Sequence, residues 1–211
     1  MRRRQARARR SRRGLTLVEL MVAVAVVAVL LVLAAPSFRE LILMQRLKSI
    51  HAQLVTDLQY ARSEAVSSGA IVNVRVQPQR FGSPHTCYII FHHFSHNYVI
   101  NGASSGCDCH EPAISRCSSP NTRELRTVLV PLDGGVILVD APGGQTTQAV
   151  AFDPKTGGMV LRANELGAGT GLPFTVTAAI DSARSLSAVV ATSGRPRICR
   201  PAGSTLPDLE C

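Results

Sequence analysis

Three arginines crowd one short stretch near the C-terminus: within Thr192 to Arg200, Arg195, Arg197 and Arg200 stand two and three residues apart. Gly194 and Pro196, set among them, turn and stiffen the chain. A guanidinium is planar, permanently charged and donates hydrogen bonds in a fork that matches phosphate oxygens. The segment therefore has the chemistry of an anion-binding turn. The alternative is a solvated hairpin edge whose arginines pair with nearby acids such as Asp208 or Glu210.

Two other groupings carry chemistry. His92, His93 and His96, followed by Cys107, Cys109 and His110, contain ligand types suited to zinc or copper. Their spacing is not that of a recognised metal site. The six cysteines (Cys87, Cys107, Cys109, Cys117, Cys199, Cys211) are an even number beyond a long apolar segment, and disulfides with surface histidines are the expectation, with no metal. Cys199 and Cys211 enclose a short loop containing Pro201 and Pro207, which predicts that they pair with each other. The partners of the other four stay open. Gly167, Gly169 and Gly171 lack the Lys and Ser/Thr of a phosphate loop and read as turns. No Ser, His and acid arrangement and no paired carboxylates stand in a recognisable context. We therefore expect no catalytic residues and no cofactor, in a protein that is not an enzyme.

The charge of +9 does not by itself indicate a nucleic-acid partner. Eight arginines and no acid fall within Met1 to Gly14, leaving 15 basic against 14 acidic residues in the rest. With no Trp and aromatics at 4%, a stacking platform for single strands is disfavoured. After the basic block, Leu20 to Ala35 is apolar without interruption. Counted from Leu15, the segment has roughly the 20 residues needed to cross a bilayer, with the basic flank cytoplasmic and the remainder outside. A cleaved signal peptide is the competing reading, but the run passes through Ala35-Pro36-Ser37-Phe38 straight into a patterned helix, with no small polar cleavage region. Glu19 lies inside the apolar segment, where an ionisable group is costly without a partner.

Gly14, Leu15, Thr16, Leu17, Val18, Glu19, Leu20 and Met21 resemble the leader junction of type IV pilins and pseudopilins. The resemblance implies that a prepilin peptidase cuts between Gly14 and Leu15 and methylates the new amino terminus. Leu15 stands where Phe is commoner. It also implies that Glu19 pairs with the N-terminal amine of a neighbouring subunit during assembly. Ala61, Arg62, Ser63, Glu64 and Ala65, within Leu47 to Val74, resemble the end of the long helix in FimT-type minor pilins and GspH pseudopilins. Gly194-Arg195-Pro196-Arg197 matches the C-terminal GRxR motif that the FimT type associates with DNA binding during natural transformation.

These residues must be held by elements that the pattern also supplies. Leu43, Leu47, Ile50, Leu54, Leu58, Ala61 and Ala65 recur at spacings of three and four, so the anchor helix continues to Ser67-Ser68-Gly69, with Pro36 bending or loosening it. Arg62 and Glu64 fall on its solvated side. Strands are predicted at Ile71 to Val76, Cys87 to Phe91, Thr127 to Val130, Val136 to Val139, Ala149 to Phe152, Met159 to Arg162, Phe174 to Ala178 and Leu186 to Ala191. Residues 101–123 read as a long loop stapled by disulfides. The expected fold is α+β and pilin-like: a leader over 1–14, a helix over 15–68 and a β-rich head over 69–211. The resemblance implies a minor pilin in the inner membrane, with a periplasmic head, that joins other pilins in a filament and binds double-stranded DNA. The alternatives are a GspH-like pseudopilin of type II secretion and a minor pilin that only primes assembly.

Processing is directly measurable. The intact mass of protein from a peptidase-positive host should lack Met1 to Gly14, whereas a chain starting near Pro36 would restore the signal-peptide reading.

Overall fold

The computed structural model describes residues 16–94, 106–117, 119–139, 148–160 and 174–211. Gly14 and Leu15, the expected processing junction, lie outside them, as does His96. The chain divides into two compact units, Met1–Leu41 and Ile42–Cys211.

Helix α1 (Leu17–Ser68) runs through both units and is unbroken at Pro36. Its start is capped by Thr16: the Glu19 backbone N–H donates to Thr16 Oγ1 at 3.2 Å, and the Leu20 N–H to the Thr16 carbonyl at 3.1 Å. Thr16 and Glu19 have the spacing of a capping box, and a carboxylate in the first turn complements the positive end of the helix. The large apolar side chains from Leu17 to Leu33 are each more than half exposed. An apolar band of that length has the dimensions of a bilayer core.

In the second unit, Leu47, Leu54, Leu58, Ala61 and Ala65 of α1 are fully buried, while Ile50 is partly buried. The helix ends as expected: Gly69 takes the left-handed conformation (φ 67°) and its N–H returns to the Ala65 carbonyl at 3.1 Å. Eight strands follow among the described residues. They form two antiparallel four-stranded sheets. The first comprises β1 (Ile71–Gln77), β2 (His85–His93), β3 (Thr122–Pro131) and β5 (Gln148–Phe152), in the order β3-β2-β1-β5. The second comprises β4 (Ile137–Val139), β6 (Phe174–Ala179), β7 (Ser185–Val190) and β8 (Pro196–Cys199), in the order β4-β6-β7-β8. Val72, Val74, Tyr88 and Ile90 of the first sheet join Leu138, Val176, Ala188 and Val190 of the second and the helix stripe in one core.

Strand β2 is buried on both faces, which alternation explains. Tyr88 and Ile90 belong to the main core, whereas Cys87, Ile89 and Phe91 form a second cluster with Cys107 and Cys109. Disulfides Cys87–Cys109 and Cys107–Cys117 hold the loop there. Arg75 secures it from β1 by donating to the Cys107 carbonyl at 3.1 Å, and Gln77 Oε1 accepts from the Cys109 N–H at 2.7 Å. On the main-core face, the Tyr88 hydroxyl donates to Asp57 at 2.7 Å, and Arg126 reaches the same carboxylate at 2.7 Å. Burial and that hydrogen bond push the phenol far above its ordinary pKa.

Two strand expectations need correction. Met159 makes only an isolated bridge to Phe152, with Arg162 outside the described residues, because Asp153 and Gly157 turn the chain sharply between them. Strand β8 has no expected counterpart, since Pro196 and Arg197 at its start lack the apolar signature of a strand. Strand β3 also starts five residues earlier than expected, at Thr122. Its burial is only partial, so its polar N-terminal half hides the alternation.

His51 lies beyond the apolar segment, on the buried side of α1, and is 2% exposed. Burial draws its pKa below the ordinary imidazole value, against opposing contributions from the Ser187 backbone and Asp208. The folded state thus prefers neutral His51 while the unfolded chain takes up a proton near pH 6.5. Its contribution to stability is full above that pH and is lost as pH falls below it. Asp153 and Asp181, held below the usual carboxylate range by hydrogen bonds, lose theirs only at lower pH, below about 4. The urea midpoint of the mature chain in mild detergent should therefore decline from pH 7 to pH 5. His51→Gln should flatten that decline, leaving the share of His85, whose pKa burial also lowers. An unchanged slope in the variant would sink this assignment.

Candidate nucleic-acid interface

Hairpin β7–β8 carries the arginine cluster, and its register places Val190 opposite Pro196 and Val189 opposite Arg197. Residues 191–195 form the connection. The Gly194 N–H donates to the Ala191 carbonyl at 2.8 Å and the Ala191 N–H to the Arg195 carbonyl at 3.3 Å. Gly194 has φ 75°, which a side chain disfavours, and a Cβ there would overlap the Gly157 carbonyl. The motif glycine is thus required twice, by its dihedral and by the close approach of another backbone.

Gly157 belongs to the turn after β5. Asp153 Oδ1 accepts from the backbone N–H groups of Lys155 and Thr156, both at 2.9 Å, and from the Thr156 hydroxyl at 3.1 Å. An aspartate that caps its own turn fixes the following residues. The Gly157 carbonyl, already against Gly194, accepts from Arg62 Nε at 2.8 Å. Thr192 closes the junction by accepting from the Met159 N–H at 3.0 Å. Helix α1, the Asp153 turn and the arginine hairpin therefore meet at one point. Arg62 and Glu64 are not simply solvated, as expected from the pattern: Arg62 holds this junction, and Glu64 lies 3.2 Å from His92 Nε2.

The three expected arginines differ in their surroundings. Arg195 and Arg197 are exposed, with no ion pair or side-chain hydrogen bond among the described residues. Arg200 is half-buried, donates to the Ser204 carbonyl at 2.7 Å and faces Glu210 at 3.4 Å. These contacts tie Arg200 to the C-terminal segment. Cys199 and Cys211 are bonded, the pairing that the short loop suggested, and the Cys211 N–H donates to the Arg200 carbonyl at 3.0 Å. Lys155 is a further exposed cation beside this surface that sequence reasoning passed over. Its signal was the Asp-Pro-Lys-Thr-Gly order of Asp153 to Gly157, a turn with a cation at its tip.

Among the described residues, the one histidine and cysteine grouping close enough to share an ion has its cysteine in a disulfide. Ligand atoms of His85, Cys87 and His110 fall within 4.8 Å of one another, but the Cys87 sulfur is bonded to Cys109. Both His110 ring nitrogens also have partners, Ser83 Oγ at 3.2 Å and the Pro78 carbonyl at 2.9 Å. Glu19, in the apolar part of α1, is exposed in the single chain.

Residues 52–194 match the family model described as type II transport protein GspH, and residues 9–35 match the prokaryotic N-terminal methylation motif. The matched region ends at Gly194, just before Arg195. Two crystal forms of the type IV minor pilin FimU of Pseudomonas aeruginosa (strain PAO1) are similar to this chain. The P65 form is 16% identical, covering 76% of this chain and 98% of that one, with a TM-score of 0.42. The P21 form is 14% identical over 78% of this chain and 95% of that one, with a TM-score of 0.43. No curated protein matches.

The double requirement at Gly194 has a measurable consequence. Gly194→Ala should lower the unfolding free energy by about 1–3 kcal/mol, the scale of backbone strain in a left-handed conformation. Arg195→Ala should stay within about 0.5 kcal/mol of the parent, as an exposed side chain without partners does. Urea unfolding of the mature chain in mild detergent compares the two. Equal stabilities would mean that the Gly157 contact is not required.

Proposed function

We propose, from the premise that this chain belongs to the GspH family of type II transport proteins and carries an N-terminal methylation motif, that it is a DNA-binding minor pilin. In this reading, a prepilin peptidase removes Met1 to Gly14, and the apolar half of α1 anchors the chain in the inner membrane. The same helix then packs with other pilins in a filament, where Glu19 meets a neighbour's amino terminus. No catalytic step is assigned to it. The head presents Arg195 and Arg197 to double-stranded DNA for uptake in natural transformation.

One observation carries the DNA reading: two exposed guanidinium groups without partners among the described residues sit on a hairpin that is fixed at its loop by Gly157 and at the end of its last strand by Cys199–Cys211. An arginine that forms no internal pair keeps its donors for phosphate, and one held on a rigid turn loses less freedom on binding. Contacts of this kind fix a duplex by its backbone and read no sequence. The mature chain is nearly neutral, so attraction comes from the local patch, and single copies bind weakly; several copies along a filament raise the avidity. The second reading, a pseudopilin of type II secretion, is favoured by the GspH match itself, which stops short of both arginines. It needs no DNA contact.

Replacing Arg195 and Arg197 together by Gln separates the two. The parent in mild detergent should retard a duplex at low salt with roughly micromolar or weaker affinity and no sequence preference. The double variant should lose the shift while keeping its unfolding midpoint. Retention of binding by the variant, or none by the parent, would favour the secretion reading.

A further inference from the structure

Beside the arginine hairpin, helix α1 and the Asp153 turn border a groove of about 860 Å³. Gln59, Arg62, Ser63, Lys155, Thr156 and Arg195 line it, and it contains three cations and no acid. Arg62 spends Nε on the Gly157 carbonyl, and its two terminal nitrogens have no partner among the described residues. Lys155 is exposed and its ammonium makes no hydrogen bond or ion pair among them; its charge acts on Asp153 through space, and Asp153 fixes its backbone. On the helix wall, Gln59 and Ser63 stand four residues apart, one above the other, with polar tips.

We propose that this groove is the second half of the DNA site, seating backbone phosphates of the duplex between Arg62, Lys155 and Arg195. The inference rests on the DNA reading above and deepens it by adding Lys155 and the wall of α1. Three features select the ligand. The lining has no aromatic ring on which a base can stack, so the sugar-phosphate backbone is what it fits. Its cations come from three different segments, positioned by one shared hydrogen-bonded junction rather than by mutual contact. The groove also opens directly onto Arg195, so a strand lying across the hairpin continues into it.

Fluorescence anisotropy of a 30-base-pair duplex against the mature chain in nonionic detergent, at stepped salt, tests the assignment. With two arginines alone, the log-log salt slope is about −2; adding Arg62 and Lys155 brings it to between about −3 and −4. Lys155→Gln should make the slope shallower by about one unit and weaken binding about fivefold to tenfold at 0.1 M salt. Ser63→Glu, an exposed helix position, should weaken binding by introducing a carboxylate into the groove. Unfolding midpoints near that of the parent would exclude loss of fold in both variants. A parent slope near −2, with Lys155→Gln and Ser63→Glu binding like the parent while the Arg195 and Arg197 double variant does not, would overturn the groove and leave the hairpin reading intact. Undiminished binding by that double variant would instead remove the DNA reading itself. Lys155-dependent binding to phosphatidylglycerol vesicles without any effect on duplex binding would likewise overturn the groove as a DNA site.

Discussion

Two small antiparallel sheets, one with a three-residue strand at its edge, pack with each other and with one apolar stripe of helix α1 in a single core. Leu47, Leu54 and Leu58 are each fully buried there, worth about 1.5–3 kcal/mol apiece in area removed from water. Ala61 and Ala65 continue the stripe with small side chains just before the helix ends. The same helix that, but for Glu19, is apolar near its start is therefore amphipathic further on. That change lets one continuous element present an apolar band of bilayer length at one end and a layer of the head's core at the other. The strands place their inward residues around it, and their outward residues are left for loops and bridges.

The surface chemistry depends on a much smaller contact. A helix side chain, Arg62, binds a backbone carbonyl, Gly157, which a second backbone, at Gly194, can approach only for want of a Cβ. Two sequence motifs separated by over a hundred residues are in this way parts of one junction. The arginine of the helix motif has a structural partner, and the glycine of the hairpin motif is required by geometry rather than by ligand. What remains for a ligand are the groups that this junction positions and does not consume, the terminal nitrogens of Arg62 among them.

Much of this organisation was legible in the sequence, for identifiable reasons. The helix and its end followed from leucines at three- and four-residue spacing and from Ser67-Ser68-Gly69. Strands β1, β2, β6 and β7 were legible because β-branched residues cluster where burial is complete. Cys199 and Cys211 were close enough along the chain to read as a pair. The other two bridges stayed open, because Cys107 and Cys109 stand two residues apart and only the fold assigns Cys109 to Cys87, across 22 residues, and Cys107 to Cys117, across 10. Arg62 and Glu64 looked solvated because helical periodicity marks which face is apolar, and not that a turn from elsewhere will cover the polar one. Strand β8 escaped because its residues alternate no apolar face. Its pairing with β7 is set by the hairpin geometry around Gly194.

That last strand has a consequence for how the head meets any neighbouring chain. Strand β8 is the free margin of its sheet, and a free margin offers unpaired backbone groups to any extended segment that passes. Proline at its first position removes one donor, and Arg197 puts a charge in the middle of it. Cys199 then binds the chain back to Cys211, and the terminal residues run alongside through the Arg200 and Glu210 bridge. The segment is thereby poorly suited to accept a foreign strand, so heads can be crowded together without zipping edge to edge.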